Sequence, residues 1–415
     1  MTLDSKARLQ ILKSIKKLVL TKHINIAGVD CEAWATRLDG RNDVLLATDI
    51  EGFESGVSQM LAELKTSHTV FYHSLPKEFP PQHTINATLR ELRQGSRLVW
   101  MFLDVFEDGP AHIAGIKSGD ILEALDGKPC SPPILPCFAI GNFHNLQVTK
   151  IGSSSQSTIT IEVPMRKGTK HRPPLVEPTS PIHRMVGQGI GLLKIAYFPG
   201  AAGIRFATQL DKAIHELKQQ GCNRLIIDLR GNIGGSLGFA RLASYMCPGK
   251  IAIGNSLTPN RLRKGFDIES LPRVPMPASK AELLITLGRF LLRDKSVMLL
   301  TQGLGEQPFH NRIAILVNEW TNSAAEIVTS FATGNRLATI VGVKTRGNVL
   351  GATNFKVGGG YWLRLPVFGW FSSKGVGIEG IGVEPDVSVE ISADALALGE
   401  DNQMIGAMKV LNGLG

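Results

Sequence analysis

Apolar residues recur at helical spacing through the first part of the chain. Leu9, Ile11, Leu12, Ile15, Leu18 and Leu20 stand among lysines over residues 5–22, the pattern of an amphipathic helix. Trp34, Leu38 and Leu45, then Phe53, Val57, Met60, Leu61 and Leu64, predict further helices to about residue 65. The period then changes, and the β-branched and aromatic alternation over 66–72 predicts a strand. Residues 98–105 read as another strand. A short helix, a glycine turn, a strand and an Asp126-Gly127 hairpin turn follow, and a strand over 158–163 closes the unit. The stretch 168–181, rich in Pro, Lys and Thr, reads as a linker. Beyond it the pattern is β/α: a strand at 191–198, an amphipathic helix at 205–219, a buried strand at 224–229 and a helix at 236–246. A strand at 313–317 then leads directly into a helix starting near Ser323. Residues 250–310 read as irregular, a lid or an insertion.

At 415 residues the chain is too long for one ordinary core, since a domain takes ~100–200 residues. Hydrophobic residues at 43% and charged residues at 20% fit a folded globular protein and exclude a disordered one. The longest apolar runs, such as 313–317, fall far short of the ~18 residues a membrane span needs. A net charge of +9, from 45 basic and 36 acidic residues, raises the question of nucleic acid. The basic residues are scattered and lack interleaved aromatics, so a solvated cationic surface is expected, with no nucleic-acid partner. Five cysteines without a C-x-x-C pair suggest neither a zinc site nor a disulfide framework. Residues 1–25 lack a long apolar run and a small-residue cleavage site, so a cytoplasmic location is the expectation.

Two segments can carry chemistry. In the first, the buried strand 313–317 ends, a polar turn follows, and Ser323 begins a helix. That placement exposes Oγ and points the first helical N–H groups at a developing oxyanion. The plainer reading is that Ser323 or Asn322 is an N-cap. The second segment, Asp228-Leu229-Arg230-Gly231-Asn232-Ile233-Gly234-Gly235-Ser236, is a glycine-rich strand-to-helix turn that can aim amides at an anion. It lacks the Gly-Lys-Ser/Thr ending of a phosphate loop.

Taken together, these segments resemble the tail-specific (C-terminal processing) protease superfamily. Val341-Gly342, Thr345, Gly347 and then Gly380-Ile381-Gly382-Val383-Glu384-Pro385-Asp386 follow in the family's order over about 191–390. The preceding Gly-Pro-Ala and Ala-Gly-Ile-Lys-Ser-Gly-Asp stretch resembles the PDZ domain those proteases carry. The resemblance implies a mixed α/β multidomain fold: a crotonase/Clp-protease-like ββα core, an inserted PDZ-like domain and a helical N-terminal domain. The implied divisions are 1–80, helical and contributing the catalytic histidine; 84–166, PDZ-like; 167–182, linker; 183–395, protease core; and 396–415, a C-terminal tail or helix.

The family activates its serine in two ways. In the Ser–Lys branch a lysine lies 25 residues after the nucleophile, where this chain has Asn348, which cannot act as a base. Lys344 stands four residues early. The other branch resembles the tricorn protease core, with a histidine ahead of the PDZ domain and a supporting serine and glutamate. Thr66-Ser67-His68 stands in that place, and Gly377-Ile378-Glu379-Gly380 matches the glutamate stretch. Ala324 departs from the acidic residue usual after the nucleophile, and the tricorn propellers have no counterpart here. The resemblance therefore implies Ser323 as nucleophile, His68 as general base, and Glu379 and Ser67 as its relay. One form of that relay puts the Ser67 hydroxyl between the Glu379 carboxylate and His68. The amides of Ala324 and of Gly234 or Gly235 would form the oxyanion hole. An unperturbed histidine near ~6.5 would set the acid limb of activity around neutral pH or slightly below.

Each assignment has a plainer alternative. His68 can be a structural histidine, with His73, His183 and His310 as other candidates outside the motifs. Glu379 can pair with Lys374 at the surface, and Ser67 can line a strand. In the PDZ-like unit, Val99–Val105 is expected to offer an edge strand to an extended peptide, with Arg97 as a candidate for a terminal carboxylate. The resemblance implies no cofactor and no metal, peptide or protein partners engaged through their C-terminal tails, and leaves homo-oligomerisation open. The rival from another class is an inactive protease homologue that holds peptides through its PDZ-like unit, and Asn348 is its best argument.

Overall fold

Aspartates start three of the first helices. Asp4, Asp30 and Asp49 cap α1 (Ser5–Lys22), α2 (Cys31–Gly40) and, after the short α3 (Asn42–Ala47), α4 (Ile50–Ala62). Each carboxylate accepts backbone N–H groups that a helix start leaves unpaired. The computed structural model describes residues 3–413 apart from 74–77, 154, 166–175, 201–202, 278, 280, 283, 286–294, 307–308 and 310–311. Most of the expected linker, and His310, lie outside the described residues. The apolar faces of these helices bury Ile11, Leu12, Ile15, Trp34, Phe53, Val57 and Met60 together. Their core is completed from far along the chain by Val357, Tyr361, Leu363 and Leu365. The strand expected from residue 66 begins later, as β1 (Val70–His73), because the chain turns at Ser67 and His68. His68 there has a φ of 61°.

A small β unit follows. Its elements are β2 (Glu78–Phe79), α5 (Pro81–Thr84), β3 (Ala87–Gln94), β4 (Arg97–Val105), α6 (Pro110–Ile113), β5 (Ile121–Leu125), β6 (Lys128–Pro129), β7 (Phe138–Ala139), β8 (Phe143–Thr149) and β9 (Gln156–Glu162). Asp126 and Gly127, with φ of 49° and 77°, make the hairpin turn between β5 and β6. The sheet order β3-β4-β5-β8-β9 corrects one expectation. Val99–Val105 lies in β4, which is interior to the sheet: β3 pairs along it and β5 pairs with Trp100 and Met101, so it is not an edge strand. The edges are β3 and β9. Arg97 is taken by Glu123 at 2.7 Å.

The remainder builds two sheets. In chain order it runs β10 (Ile182–Gly187), β11 (Ile190–Lys194), α7 (Ile204–Gln219), β12 (Arg224–Asp228), α8 (Gly238–Ser244), β13 (Ala252–Leu257), α9 (Pro259–Arg263), β14 (Arg273–Pro275), β15 (Val297–Leu300) and β16 (Ile313–Val317). Then come α10 (Ala324–Gly334), β17 (Thr339–Gly342), β18 (Gly351–Gly358), β19 (Tyr361–Ser372), β20 (Val387–Ser388), α11 (Ala393–Ala397) and α12 (Asn402–Leu411). One sheet, β10-β11-β12-β16-β17-β20, is parallel from β11 onward. Its strand β16 is buried at every position, as a parallel strand covered on both faces must be. Helices α7, α8 and α10 cover one face. On the other, α12 buries Ala407 against Leu316 and Val341, so the C-terminal segment is part of the core rather than a tail. The second sheet, β1-β19-β13-β15-β14 with β18 on β19, takes three strands from the stretch read as irregular. Those strands find their main partners far away in sequence, and short apolar runs carry no local mark of such pairing.

Sheet and helices meet at β1. Val70 lies opposite Arg364 and Phe71 opposite Leu363, and the Phe71 ring stacks on Tyr361 at 4.8 Å. Among the described residues no helix is long and apolar enough to cross a membrane. Phe71→Ala should remove about 3 kcal/mol of stability, read as a lowered denaturant midpoint. The turn bearing His68 should loosen with it.

Candidate active site

The turn after β16 is laced to the turn after β12. Thr321 Oγ1 accepts from the Asn318 N–H and donates to the Leu229 carbonyl, both at 2.9 Å. The Asn322 N–H donates to the Asn232 carbonyl at 2.9 Å. Asn318 Oδ1 accepts from the Gly231 N–H at 2.9 Å, while its amide donates to Asp104 of the small β unit at 3.0 Å. These bonds hold Ser323 at φ 54° and ψ −115°, the first residue of the turn into α10. A non-glycine residue with positive φ is uncommon and strained. Gly234 stands against it: a Cβ there would lie 2.7 Å from Ser323 Cβ and 3.2 Å from Oγ.

The amides around Ser323 differ in what they face. The Gly234 N–H donates to Asn232 Oδ1 at 2.7 Å and is occupied. Those of Gly235 and Ala324 have no hydrogen-bond partner among the described residues. Gly235, at φ 138°, tolerates no Cβ, which would lie 2.3 Å from the Phe198 carbonyl oxygen.

A second cluster forms at the turn before β1. Ser67 Oγ and His68 Nδ1 are hydrogen bonded at 2.8 Å. Glu379 Oε1 accepts the backbone N–H of Ser67 at 2.8 Å, and its Oε2 accepts the Val349 N–H at 2.8 Å. The glutamate therefore reaches Ser67 through the main chain, and the hydroxyl meets only the imidazole. Burial, with a smaller push from the Arg364 charge, lowers the His68 pKa to about 4. The ring is neutral at pH 7, with a pKa well below the unperturbed value that the sequence led us to expect.

One segment, Thr345–Val349, joins the two clusters. Glu326 is fully buried at the third position of α10, and its carboxylate accepts from four donors. These are the N–H groups of Ser323 (3.1 Å), Asn348 (2.8 Å) and Gly347, and the Thr345 hydroxyl (2.7 Å). Burial pushes its pKa up against those four bonds. Consecutive amides, Asn348 and Val349, thus bind the two carboxylates that fix Ser323 and the His68 turn. The structure gathers Ser67, His68 and Glu379 into one hydrogen-bonded chain, and places Ser323 with Ala324, Gly234 and Gly235. No hydrogen bond joins Ser323 Oγ to His68.

The rival residues lie elsewhere. Lys344 pairs with Glu384 at 2.6 Å and His183 with Glu216 at 2.7 Å, while His73 packs edge-on against Tyr361. Sequence reasoning missed the part played by Glu326, although its signal was present: Ser323 with glutamate three residues on is the spacing of a capping box. Among the described residues no group of three His, Cys, Asp or Glu is placed to hold a metal ion.

Glu326→Gln would turn an amide NH2 toward N–H donors, so it should cost roughly 2–3 kcal/mol of stability, measured by chemical denaturation. His23, His68 and His83 all have pKa values lowered to about 4 by burial. Between about pH 6.5 and pH 4 the unfolded chain binds protons that the folded one refuses. Stability is therefore full above that window and falls with acid, by up to about 1.4 kcal/mol per pH unit for each histidine. Denaturant midpoints at pH 7, 5.5 and 4.5 check this, and His23→Gln should flatten the slope.

The chain is similar to several known proteins. Residues 189–389 match Peptidase family S41. The carboxyl-terminal-processing protease of Synechocystis sp. is 26% identical over 312 residues, covering 73% of this chain and 63% of that protein. The carboxy-terminal-processing protease of Bartonella bacilliformis is 26% identical over 290 residues, covering 68% and 57%. The chain thus spans less than two thirds of the length of these relatives. Among solved structures, the photosystem II D1 C-terminal processing protease superposes with a TM-score of 0.54 at 16% identity, covering 94% of this chain and 96% of that one. That likeness shows a shared mixed α/β multidomain fold. Through residues 189–389, the chain is similar to Peptidase family S41.

Proposed function

We propose that this protein is a serine peptidase that hydrolyses peptide bonds in protein tails, unfolded chains or oligopeptides, with Ser323 as nucleophile and His68 as general base. The observation that carries the reading is the Ser323 turn itself: a strained hydroxyl-bearing residue at a helix start, flanked by the unengaged amides of Ala324 and Gly235. His68 Nε2 takes the Ser323 proton as Oγ attacks the carbonyl carbon, and returns it to the leaving amine. Water then attacks the acyl-enzyme by the same route. The two free N–H groups receive the oxyanion, while Gly234 shapes the turn and spends its own N–H on Asn232. Ser67 orients the imidazole through Nδ1, and Glu379 holds the turn on which both sit. Substrate binding draws Ser323 Oγ and His68 Nε2 together, since catalytic hydrogen bonds commonly tighten only in the complex.

This assignment places the chain in the tricorn-like branch of the family rather than the Ser–Lys branch. Asn348 contributes a backbone N–H to Glu326, and Lys344 is committed to Glu384. The 84–166 unit is read as PDZ-like, inserted between the histidine and a crotonase/Clp-protease-like core. Its docking through Asp104 onto Asn318 supports a role in presenting peptides to the Ser323 turn.

A fluorophosphonate probe should label Ser323 in the native protein and not in Ser323→Ala. Peptidase kcat/KM should fall by roughly 10³-fold or more in His68→Ala and stay appreciable in Asn348→Ala. Absence of labelling in the native protein would favour the peptide-binding homologue instead. Because the base is neutral down to about pH 4, the acid limb of kcat/KM should lie well below pH 6. A limb centred near 6.5 would contradict a buried His68.

A further inference from the structure

The hairpin of β18 and β19 has two unlike faces. Tyr361, Leu363 and Leu365 turn toward the N-terminal helices and are buried there. The alternate positions lie on the other face, where Arg364 is in register with both Val70 of β1 and Asn354 of β18. Trp362, opposite Tyr72 and Lys356, continues that face, with the Lys356 ammonium 5.3 Å from the centre of its ring. Val70 is two residues past His68, so this surface adjoins the base of the proposed reaction.

Arg364 is half-buried, and its guanidinium has no hydrogen-bond or ion-pair partner among the described residues. Burial lowers its pKa, and the groups near enough to oppose that shift are the phenols of Tyr72 and Tyr197. Its charge is felt at His68 and at His83, which lies before β3. Two further atoms are buried without partners: His83 Nδ1, in the field of Arg364, and Asn354 Oδ1, in register with it. A cation drawn partly out of water with no counter-ion is costly, and such a charge is ordinarily paired. A guanidinium presents parallel N–H donors that match a carboxylate bidentately.

We propose that Arg364 is a specificity-determining residue that binds a carboxylate of the peptide substrate beside His68, either its free C-terminus or an Asp or Glu side chain. The proposal rests on the peptidase reading above. The bound carboxylate supplies the missing counter-ion and orients the peptide, while the chemistry stays with Ser323 and His68. A purely structural Arg364 would affect all peptides alike.

The test uses one peptide sequence in three forms: free C-terminus, amidated C-terminus, and amidated with each Asp and Glu changed to Asn and Gln. The native protein should cleave at least one carboxylate-bearing form roughly ten- to a hundredfold better than the neutral one, by kcat/KM. Loss of the advantage on amidation assigns the C-terminus, and loss only on acid-to-amide exchange assigns the side chain. Arg364→Gln should erase the advantage, chiefly through KM, while fluorophosphonate labelling and cleavage of the neutral peptide stay within a few-fold. Its Tm should not fall, because an unpaired, partly desolvated charge has been removed. Arg364→Lys, which keeps the charge without the planar fork, should recover part of the preference. Equal cleavage of all three forms by native protein, or an undiminished preference in Arg364→Gln, overturns the proposal. If native protein fails to label, the peptidase reading falls separately. The Arg364 site is then judged by fluorescence anisotropy of the three peptides on full-length Ser323→Ala, where carboxylate-independent binding overturns it.

Discussion

The Glu379 carboxylate, clasped by the Ser67 and Val349 amides, is the constraint on which the arrangement of the site depends. Ser67 and His68 belong to the N-terminal part of the chain, and Val349 to the core segment that also serves Glu326. A single side chain therefore fixes a turn from one part to a loop of another. Both oxygens of Glu379 accept a backbone N–H, one from each part of the chain. The neighbouring Asn348 amide does the same for Glu326, so the seam is held by two carboxylates sharing one short stretch of backbone.

The packing that supports this clasp runs through β19. One face of that strand completes the core of the N-terminal helices, and its edges pair with β1, β13 and β18. The helices are consequently not an independent module: their core remains open without Tyr361, Leu363 and Leu365. The small β unit is fixed to the same region by Asp104 on Asn318, by Arg184 on Glu107 and by Arg90, which reaches Glu390 at 2.7 Å. Asn318 has a double part, since its other amide atom accepts from Gly231 in the glycine-rich turn. Movement of the small unit would be transmitted to the Ser323 turn through Asn318 and through the Arg90–Glu319 ion pair.

The site also concentrates unfavourable features that elsewhere in a protein would be removed. Ser323 and His68 both have positive φ, His68 is half-buried and neutral, and Arg364 is half-buried and unpaired among the described residues. Strain and unpaired polarity of this kind persist where the surrounding structure over-determines them. Here the laced turns and the two buried carboxylates supply that rigidity. In the proposed reaction, a neutral, partly shielded imidazole takes the proton and two unengaged amides receive the developing negative charge.

Much of this was legible along the chain, for identifiable reasons. The continuous apolar run 313–317 declared a buried strand, the Asp126-Gly127 pair declared its turn, and the spacing of Ile11, Leu12 and Ile15 declared α1, because each is a local relation between period and burial. Ser323, Gly235, His68 and Glu379 stood out by motif. What the sequence could not declare depended on partners distant along the chain. The strands between 250 and 310 exist because β19 and one another offer ladders, and β4 is interior because β3 and β5 both claim it. His68 is far less basic than a free imidazole because helices, hairpin and Arg364 close around it. The unpaired state of Arg364 is likewise invisible in one dimension, since a missing counter-ion is a property of everything nearby. Residue type and order determined which groups can do chemistry, and three-dimensional packing alone decided their charge, their partners and which amides remain free.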